Sequence, residues 1–151
     1  MSSATVPHGP PVSQFSVMLP NRVGALAALV KMLRAAAIEV VGISVQDAKD
    51  ATIARLVVSN PELAGHMFME KGVPHTVSPL LVVELRESGP NLLHCLDFLM
   101  MAETNIDFCY PLLPCQTNIS LLAMHVEDLE FAASVLNQGG FKLVWQDQLS
   151  R

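Results

Sequence analysis

Chemistry-bearing residues are few in this sequence and poorly spaced for catalysis. Five histidines (His8, His66, His75, His94, His125) and three cysteines (Cys95, Cys109, Cys115) are scattered along 151 residues. Covalent or acid–base catalysis needs a nucleophile beside a base, or paired acids whose environments push their proton affinities apart. None of these histidines has such a partner in the sequence pattern. His94 and Cys95 are neighbours, so on a helix they point about 100° apart. An odd set of cysteines without CxxC spacing is neither a disulfide framework nor a zinc site. On a helix face, Cys95 reads as a small buried hydrophobe. No catalytic residue, metal site or cofactor is expected, and the chain reads as a non-enzyme.

Binding chemistry has a better candidate in Pro20-Asn21-Arg22-Val23-Gly24. An alternating run (Phe15, Val17, Leu19) leads into it and a helical run (Leu26, Leu29, Val30, Leu33) leads out. That is a strand, a tight turn and a helix N-terminus in succession. First-turn amides lack partners inside the helix, and the aligned dipoles favour a negative group there. A small carboxylate fits over Val23 and Gly24. Gly24 then has two readings: a side chain would crowd that approach, or glycine simply lets the backbone turn sharply.

The elements that position this turn follow from the rest of the chain. Val12 to Leu19 alternates and reads as a strand with one buried face. Ala25 to Ala37 reads as a helix with Leu26, Leu29, Val30, Leu33 and Ala37 as its apolar stripe. Ile38 to Val45 and Thr52 to Val58 read as a hairpin around the polar turn Asp47-Ala48-Lys49-Asp50. Asn60-Pro61-Glu62 opens a second helix: a capping residue, a proline at the first position and an acid in the first turn. Gly72 ends it, and Val73 to Val77 is a fourth strand. The order β-α-β-β-α-β places both helices on one face of a four-stranded antiparallel sheet.

The pattern then repeats. Shifting the sequence by 66 residues superposes Val17 on Val83, Leu19 on Leu85, Leu26 on Leu92, Leu33 on Leu99, Ile53 on Ile119, Leu56 on Leu122 and Leu63 on Leu129. One register held across strand, helix, hairpin and second helix is an internal duplication. The second copy reads as strand Leu80 to Leu85, turn Arg86-Glu87-Ser88-Gly89-Pro90, and a helix opened by Pro90 and lined by Leu92, Cys95, Leu96 and Leu99. Strand Asn105 to Tyr110, turn Pro111 to Pro114 and strand Asn118 to Met124 follow. Helix Asp128 to Gln138 and strand Phe141 to Trp145 complete it. Ser88 is expected to serve as a helix cap. The domain reading is a loose leader at 1–11 (including His8), a first unit at 12–78 and a second at 79–151, with Ser78-Pro79 too short for a free linker. The fold class is α+β, two ferredoxin-like units in tandem.

Composition narrows the function. Just over half of the chain is hydrophobic and only 15% is charged, against about a quarter charged in a usual soluble domain. No apolar run reaches the roughly 18 residues that span a bilayer. Surplus apolar surface is therefore expected in an interface between chains. The net charge of −5 is uneven: residues 80–151 hold 3 Lys+Arg against 9 Asp+Glu. No basic patch is available for phosphates, so nucleic acid is not an expected partner. RNA-recognition domains share this element order but need aromatics on the central strands. The corresponding strands here carry Ile53, Leu56, Ile119 and Leu122. The N-terminal MSSATVPHGPP has no signal-peptide pattern, and the expected location is the cytoplasm.

A β-α-β-β-α-β unit whose first strand ends in PNRVGAL and whose first helix ends in AAIEV resembles an ACT domain, and the chain resembles two in tandem from Val12 to Gln146. The family's turn commonly reads Asn-x-Pro-Gly-x-Leu; Asn21, Gly24 and Leu26 match it, and Val23 stands where proline is usual. In the second repeat Glu87 replaces the Asn and Pro90 the Gly. The resemblance implies a regulatory module that binds an amino acid or similar metabolite where two such domains pair side by side. It implies contacts from the first turn (Asn21, Arg22, Val23, Gly24, Ala25; Glu87, Ser88) and from the start of the second strand, which is Glu39 in one repeat and Asn105 in the other. A site combining Asn21 and Gly24 with Asn105 follows if ligand binds between repeats. Helix amides and an Asn amide donate to the ligand carboxylate; backbone carbonyls, Glu39 or Glu87 accept from its ammonium. Arg22 and Arg86 are further candidates for that carboxylate. The expected function is ligand-linked regulation by a homodimer acting on its own assembly or on a partner enzyme. The alternatives are a small regulatory subunit like that of acetolactate synthase, or an oligomerisation module with no ligand.

Overall fold

The computed structural model describes residues 9–47, 50–113 and 119–150. Most of the leader (1–8, with His8), Ala48 and Lys49 of the first hairpin turn, and the stretch 114–118 with Cys115 and Asn118 lie outside the described residues. Two compact units emerge. One comprises Ser13–Ser78 with Leu149 and Ser150; the other comprises Gly9–Val12 and Pro79–Gln148.

In the unit around Ser13–Ser78, β1 (Val12–Leu19) is followed by α1 (Ala25–Ala35), β2 (Val40–Asp47), β3 (Thr52–Val58) and α2 (Pro61–Glu70). The first residues of β4 (His75–Arg86) close it. β3 pairs antiparallel with both β1 and β2. The start of β4 lies beside β1, where the Met18 amide donates to the Pro74 carbonyl at 3.1 Å. Phe15, Val17 and Leu19 alternate inward as their spacing requires. They pack with Leu29 and Leu33 of α1, Leu56 of β3 and Phe68 of α2 in one core.

The other unit repeats the plan: the end of β4, α3 (Leu92–Met101), β5 (Ile106–Pro111), β6 (Ile119–Val126), α4 (Leu129–Gln138) and β7 (Leu143–Val144). β4 pairs antiparallel with β6 and β7, and β5 with β6. Leu81, Val83 and Leu85 face Cys95 and Leu99 of α3 and Leu136 of α4. The short helix α5 (Gln146–Leu149) follows, and the Gln146 amide donates to the Pro10 carbonyl at 3.1 Å.

The duplication is visible in irregular features as well as in regular ones. β2 and β5 carry a register irregularity at equivalent places, Val40/Gly42 and Ile106/Phe108. Ala37 and Glu103, 66 residues apart, both adopt positive φ, at 60° and 53°. Each closes its helix with the same bonds: Ile38 N–H to Leu33 C=O, and Thr104 N–H to Leu99 C=O. That six-to-one pattern is the Schellman motif, here without its usual glycine.

Four local readings are corrected. First, the strands expected on either side of Ser78-Pro79 are one strand, because β4 stays extended through the pair. Second, α3 starts at Leu92, and its cap is Asn91, whose side chain accepts from the His94 amide at 3.1 Å. Ser88 lies outside the helix, and Pro90 precedes the cap rather than opening the helix. Third, of the four residues expected to line α3, Cys95 and Leu99 are buried, while Leu92 and Leu96 are exposed. Fourth, the last strand shortens to Leu143–Val144, and the chain turns into α5.

Candidate functional site

The first turn joins β1 to α1 in the open. Gly24 occupies the N-cap of α1 at φ +89°, ψ −8°, a left-handed conformation that costs little only for glycine. The backbone curls tightly there: Arg22 N–H donates to Pro20 C=O at 2.9 Å and Ala28 N–H to Gly24 C=O at 2.9 Å. A Cβ built on Gly24 meets nothing within 4 Å. Of the two readings of this glycine, the conformational one is therefore the one that the protein's own backbone requires. Asn21, Arg22 and Val23 are exposed, and Ala25 is half-buried against the core.

Electrostatics set α1 and α3 apart from α2 and α4. α2 is capped by the Asn60 side chain and carries Glu62 in its first turn. α4 is capped by the Asp128 side chain and carries Glu130. Their dipoles are already answered by acids. α1 has neither a capping side chain nor an acid in its first turn, and the cation Arg22 stands beside it. α3 has the Asn91 cap and no acid. The Ala25 amide donates to Arg22 C=O at 3.4 Å, and an incoming carboxylate otherwise meets neither a capping side chain nor an acid at the α1 N-terminus.

The structure does not bring all the candidates together. α1 is an 11-residue helix, so its two ends lie about 16 Å apart. Gly24 is at one end. Glu39, immediately before β2, is at the other. The Glu39 backbone is tied to Ser59, its N–H donating to the Ser59 side-chain Oγ and its C=O accepting from Ser59 N–H, both at 2.9 Å. It lines a groove of about 490 Å³ with Ser59 and Asn60. Asn105 occupies the same place in the second unit. It lines a groove of about 560 Å³ with Glu103, Glu127 and Asp128. Glu87 and Ser88 lie at the opposite end of that unit, exposed in the turn after β4. Within each unit the turn residues and the second-strand residue therefore form two separate clusters.

Sequence reasoning missed one feature of the second turn. Arg86 is not a loose cation. Its Nε and Nη2 both donate to Glu84 Oε1, at 3.0 and 2.7 Å, and Lys142 Nζ lies 3.6 Å from Oε2. The Glu84 carboxylate is 8% exposed. The signal was present as Glu-x-Arg on one strand, where residues two apart share a face. Arg86, with Glu87, Asn91, Leu92 and Leu121, borders a groove of about 540 Å³, in which it is the cation. Elsewhere in this unit His125 Nδ1 bonds Asp107 Oδ2 at 2.8 Å and stacks on Phe108. Burial and the neighbouring Cys109 thiol raise the Cys95 thiol to about 11.

Comparison with known proteins accounts for the repeated plan. A family profile described as ACT domain pair matches residues 11–151. Among solved structures, a protein from Bacteroides thetaiotaomicron superposes with a TM-score of 0.85 at 18% identity, over 93% of this chain and 96% of that one. The regulatory subunit of aspartate kinase from Thermus thermophilus, in its ligand-free form, superposes at 0.61 with 14% identity, over 86% and 93%. The corresponding subunit from Thermus flavus gives 0.56 and 16%, over 85% and 90%. Among curated proteins the sequence finds no match.

Proposed function

This chain belongs to the family of ACT domain pairs, and from that premise we propose that it binds a small amino acid and uses the binding to bias association. The observation that carries the reading is the α1 N-terminus: no capping side chain, no first-turn acid, Gly24 at φ +89° and Arg22 alongside. The amides of Val23 and Gly24 and the Asn21 side chain take the ligand carboxylate, with Ala25 lining the turn behind them. Glu39 and Asn105 stand too far from the turn of their own unit to share one small ligand with it. A ligand held by both kinds of contact takes the second from another ACT-type unit, and this links binding to association. Glu87 and Ser88 mark the equivalent turn of the second repeat. The regulatory subunits of aspartate kinase with the same fold support a role beside an enzyme of amino-acid metabolism. A cytoplasmic location goes with that role.

Self-association has its own support. On α3, Leu92, Leu96 and Met100 follow one another at helical spacing with Leu93 beside them. Leu93 is 66% and Met100 68% exposed. The equivalent positions of α1 are Leu26, Val30, Arg34 and Ala27. The second repeat has thus placed bulkier apolar side chains, and lost a cation, on a face that the first keeps smaller and more polar. We assign this face, with the neighbouring edge strand β5, to a homodimer contact. It also favours the second reading, in which the chain is an association module or enzyme-regulating subunit with no ligand of its own.

Calorimetric titration of the full chain with each common amino acid separates the two readings. Saturable heat from one chemical group of amino acids is the expected result. No heat from any of them overturns ligand binding and leaves the association module.

A further inference from the structure

The groove at the second turn has a chemistry of its own, and we infer that it selects an amino acid with an aliphatic side chain, anchored by Arg86. The inference rests on the amino-acid-binding reading above and names the ligand class and the residue that reads it.

Arg86 is built into place. A guanidinium left free in solvent gains little from a single carboxylate, because ordering its long side chain costs entropy. Here Glu84 holds the fork through Nε and Nη2, at 3.0 and 2.7 Å. Lys142 shares the buried carboxylate at 3.6 Å. Glu84 thereby orients Arg86 without using all of its N–H groups, and an oriented fork is the donor best matched to a carboxylate. The first repeat has no such device. At the positions 66 residues earlier stand Met18, which is 54% exposed, and Pro20. The Glu84–Arg86 pair is therefore particular to the second unit and not a requirement of the fold.

Apart from Arg86 and Glu87 the groove is mostly apolar, with Asn91, engaged as the α3 cap, and Ser120 as its other polar lining residues. Leu85, Leu92, Pro111, Ile119 and Leu121 line it beside Arg86. None of them offers a side-chain donor or acceptor to a polar ligand side chain. The acidic Glu87 at the rim suits an α-ammonium group. A carboxylate at Arg86, an ammonium toward Glu87 and a side chain along the leucines describe an aliphatic α-amino acid. A lysine side chain would lay its charge on apolar walls, and an aspartate side chain would bury a second carboxylate there. Leu92 also begins the exposed stripe of α3, so a ligand in the groove lies beside the proposed contact surface.

The test is calorimetric titration of the full chain with leucine, valine, aspartate, lysine and leucinamide, repeated on Arg86→Gln and Leu92→Gln. Leucine and valine are expected to bind, and leucinamide, which lacks the carboxylate, is not. Arg86→Gln should weaken leucine binding about tenfold or more, the usual worth of a charged hydrogen bond. That variant also leaves Glu84 with a single cation, so its fold is checked by far-ultraviolet circular dichroism. Leu92→Gln alters an exposed position, leaves Glu84 untouched and should weaken leucine several-fold. Leucine binding that both variants leave unchanged, or binding of aspartate or lysine in its place, overturns this inference while amino-acid regulation stands. No binding by any common amino acid overturns both.

Discussion

Replacing Gly24 with alanine isolates the backbone cost of the first turn. Gly24 sits at φ +89°, and an added Cβ would meet nothing within 4 Å. No steric contact contributes, so the change acts through conformation alone. A residue with a Cβ pays about 1–2 kcal/mol in the left-handed region. Alanine recovers part of this, about 0.4–1 kcal/mol, because it restricts the unfolded chain. The net loss is about 1 kcal/mol, a midpoint fall of about 2–8 °C depending on whether one unit or the whole chain melts together. Urea unfolding should show the same loss in midpoint with an unchanged slope. Gly139→Ala is the contrast. Gly139 has φ −79°, but its Cβ would lie 2.9 Å from the Phe98 ring, which rests edge-on against Phe141. That cost, about 1–3 kcal/mol, is steric. It should shrink when Phe98 is replaced by leucine, whereas the Gly24→Ala loss should not. A Gly24→Ala chain as stable as the parent would refute the positive φ and the turn built on it.

Four other outcomes follow from the same structure. Asn60→Ala should cost about 1 kcal/mol, the worth of a helix cap, since its side chain accepts from the Leu63 amide; Ser88→Ala should leave the unfolding midpoint unmoved, and a loss there would return the cap to Ser88. Leu93→Glu with Met100→Glu should change the midpoint little, because both are exposed, yet lower the sedimenting mass to that of one chain; an unchanged mass removes the α3 face from the dimer. Exposed Cys109 should react with iodoacetamide in the native chain at pH 8, while Cys95, buried and raised to about 11, stays protected until unfolding. The raised Cys95 value also has a sign: the native thiol keeps its proton where the unfolded one loses it, so this contribution to stability is complete below pH 9 and is lost as pH rises toward 11. Alkaline unfolding curves for the parent and Cys95→Ala that superpose would contradict it.

The fold was legible because its signals are local and repeated. Phe15, Val17 and Leu19 alternate, Asn60-Pro61-Glu62 announces a helix, and the 66-residue register carries the first unit's reading onto the second. Legibility failed where tertiary context decides. Leu92 and Leu96 obey the helical period as well as Cys95 and Leu99 do, and no periodicity tells which part of a wide apolar arc meets the sheet. Ser88 and Asn91 are both competent caps, and the choice depends on where the chain leaves β4. Pro79 is a reasonable break by composition, but proline is compatible with an extended strand where its missing N–H is not needed. At the site, the turn itself was readable, and the opposed placement of Gly24 and Glu39 follows from the helix between them. The Glu84–Arg86 pair was overlooked because a two-residue spacing on a strand gains meaning only once the carboxylate is seen to be buried.

Amino-acid binding by this ACT domain pair is decided by thermal unfolding of the full chain against each common amino acid. A ligand at about a hundred times its dissociation constant adds about 2.7 kcal/mol to the folded state, which moves the midpoint upward by several degrees at this chain length. That rise is expected with one chemical group of amino acids, led by the aliphatic ones. Midpoints that stay flat across all of them would contradict it.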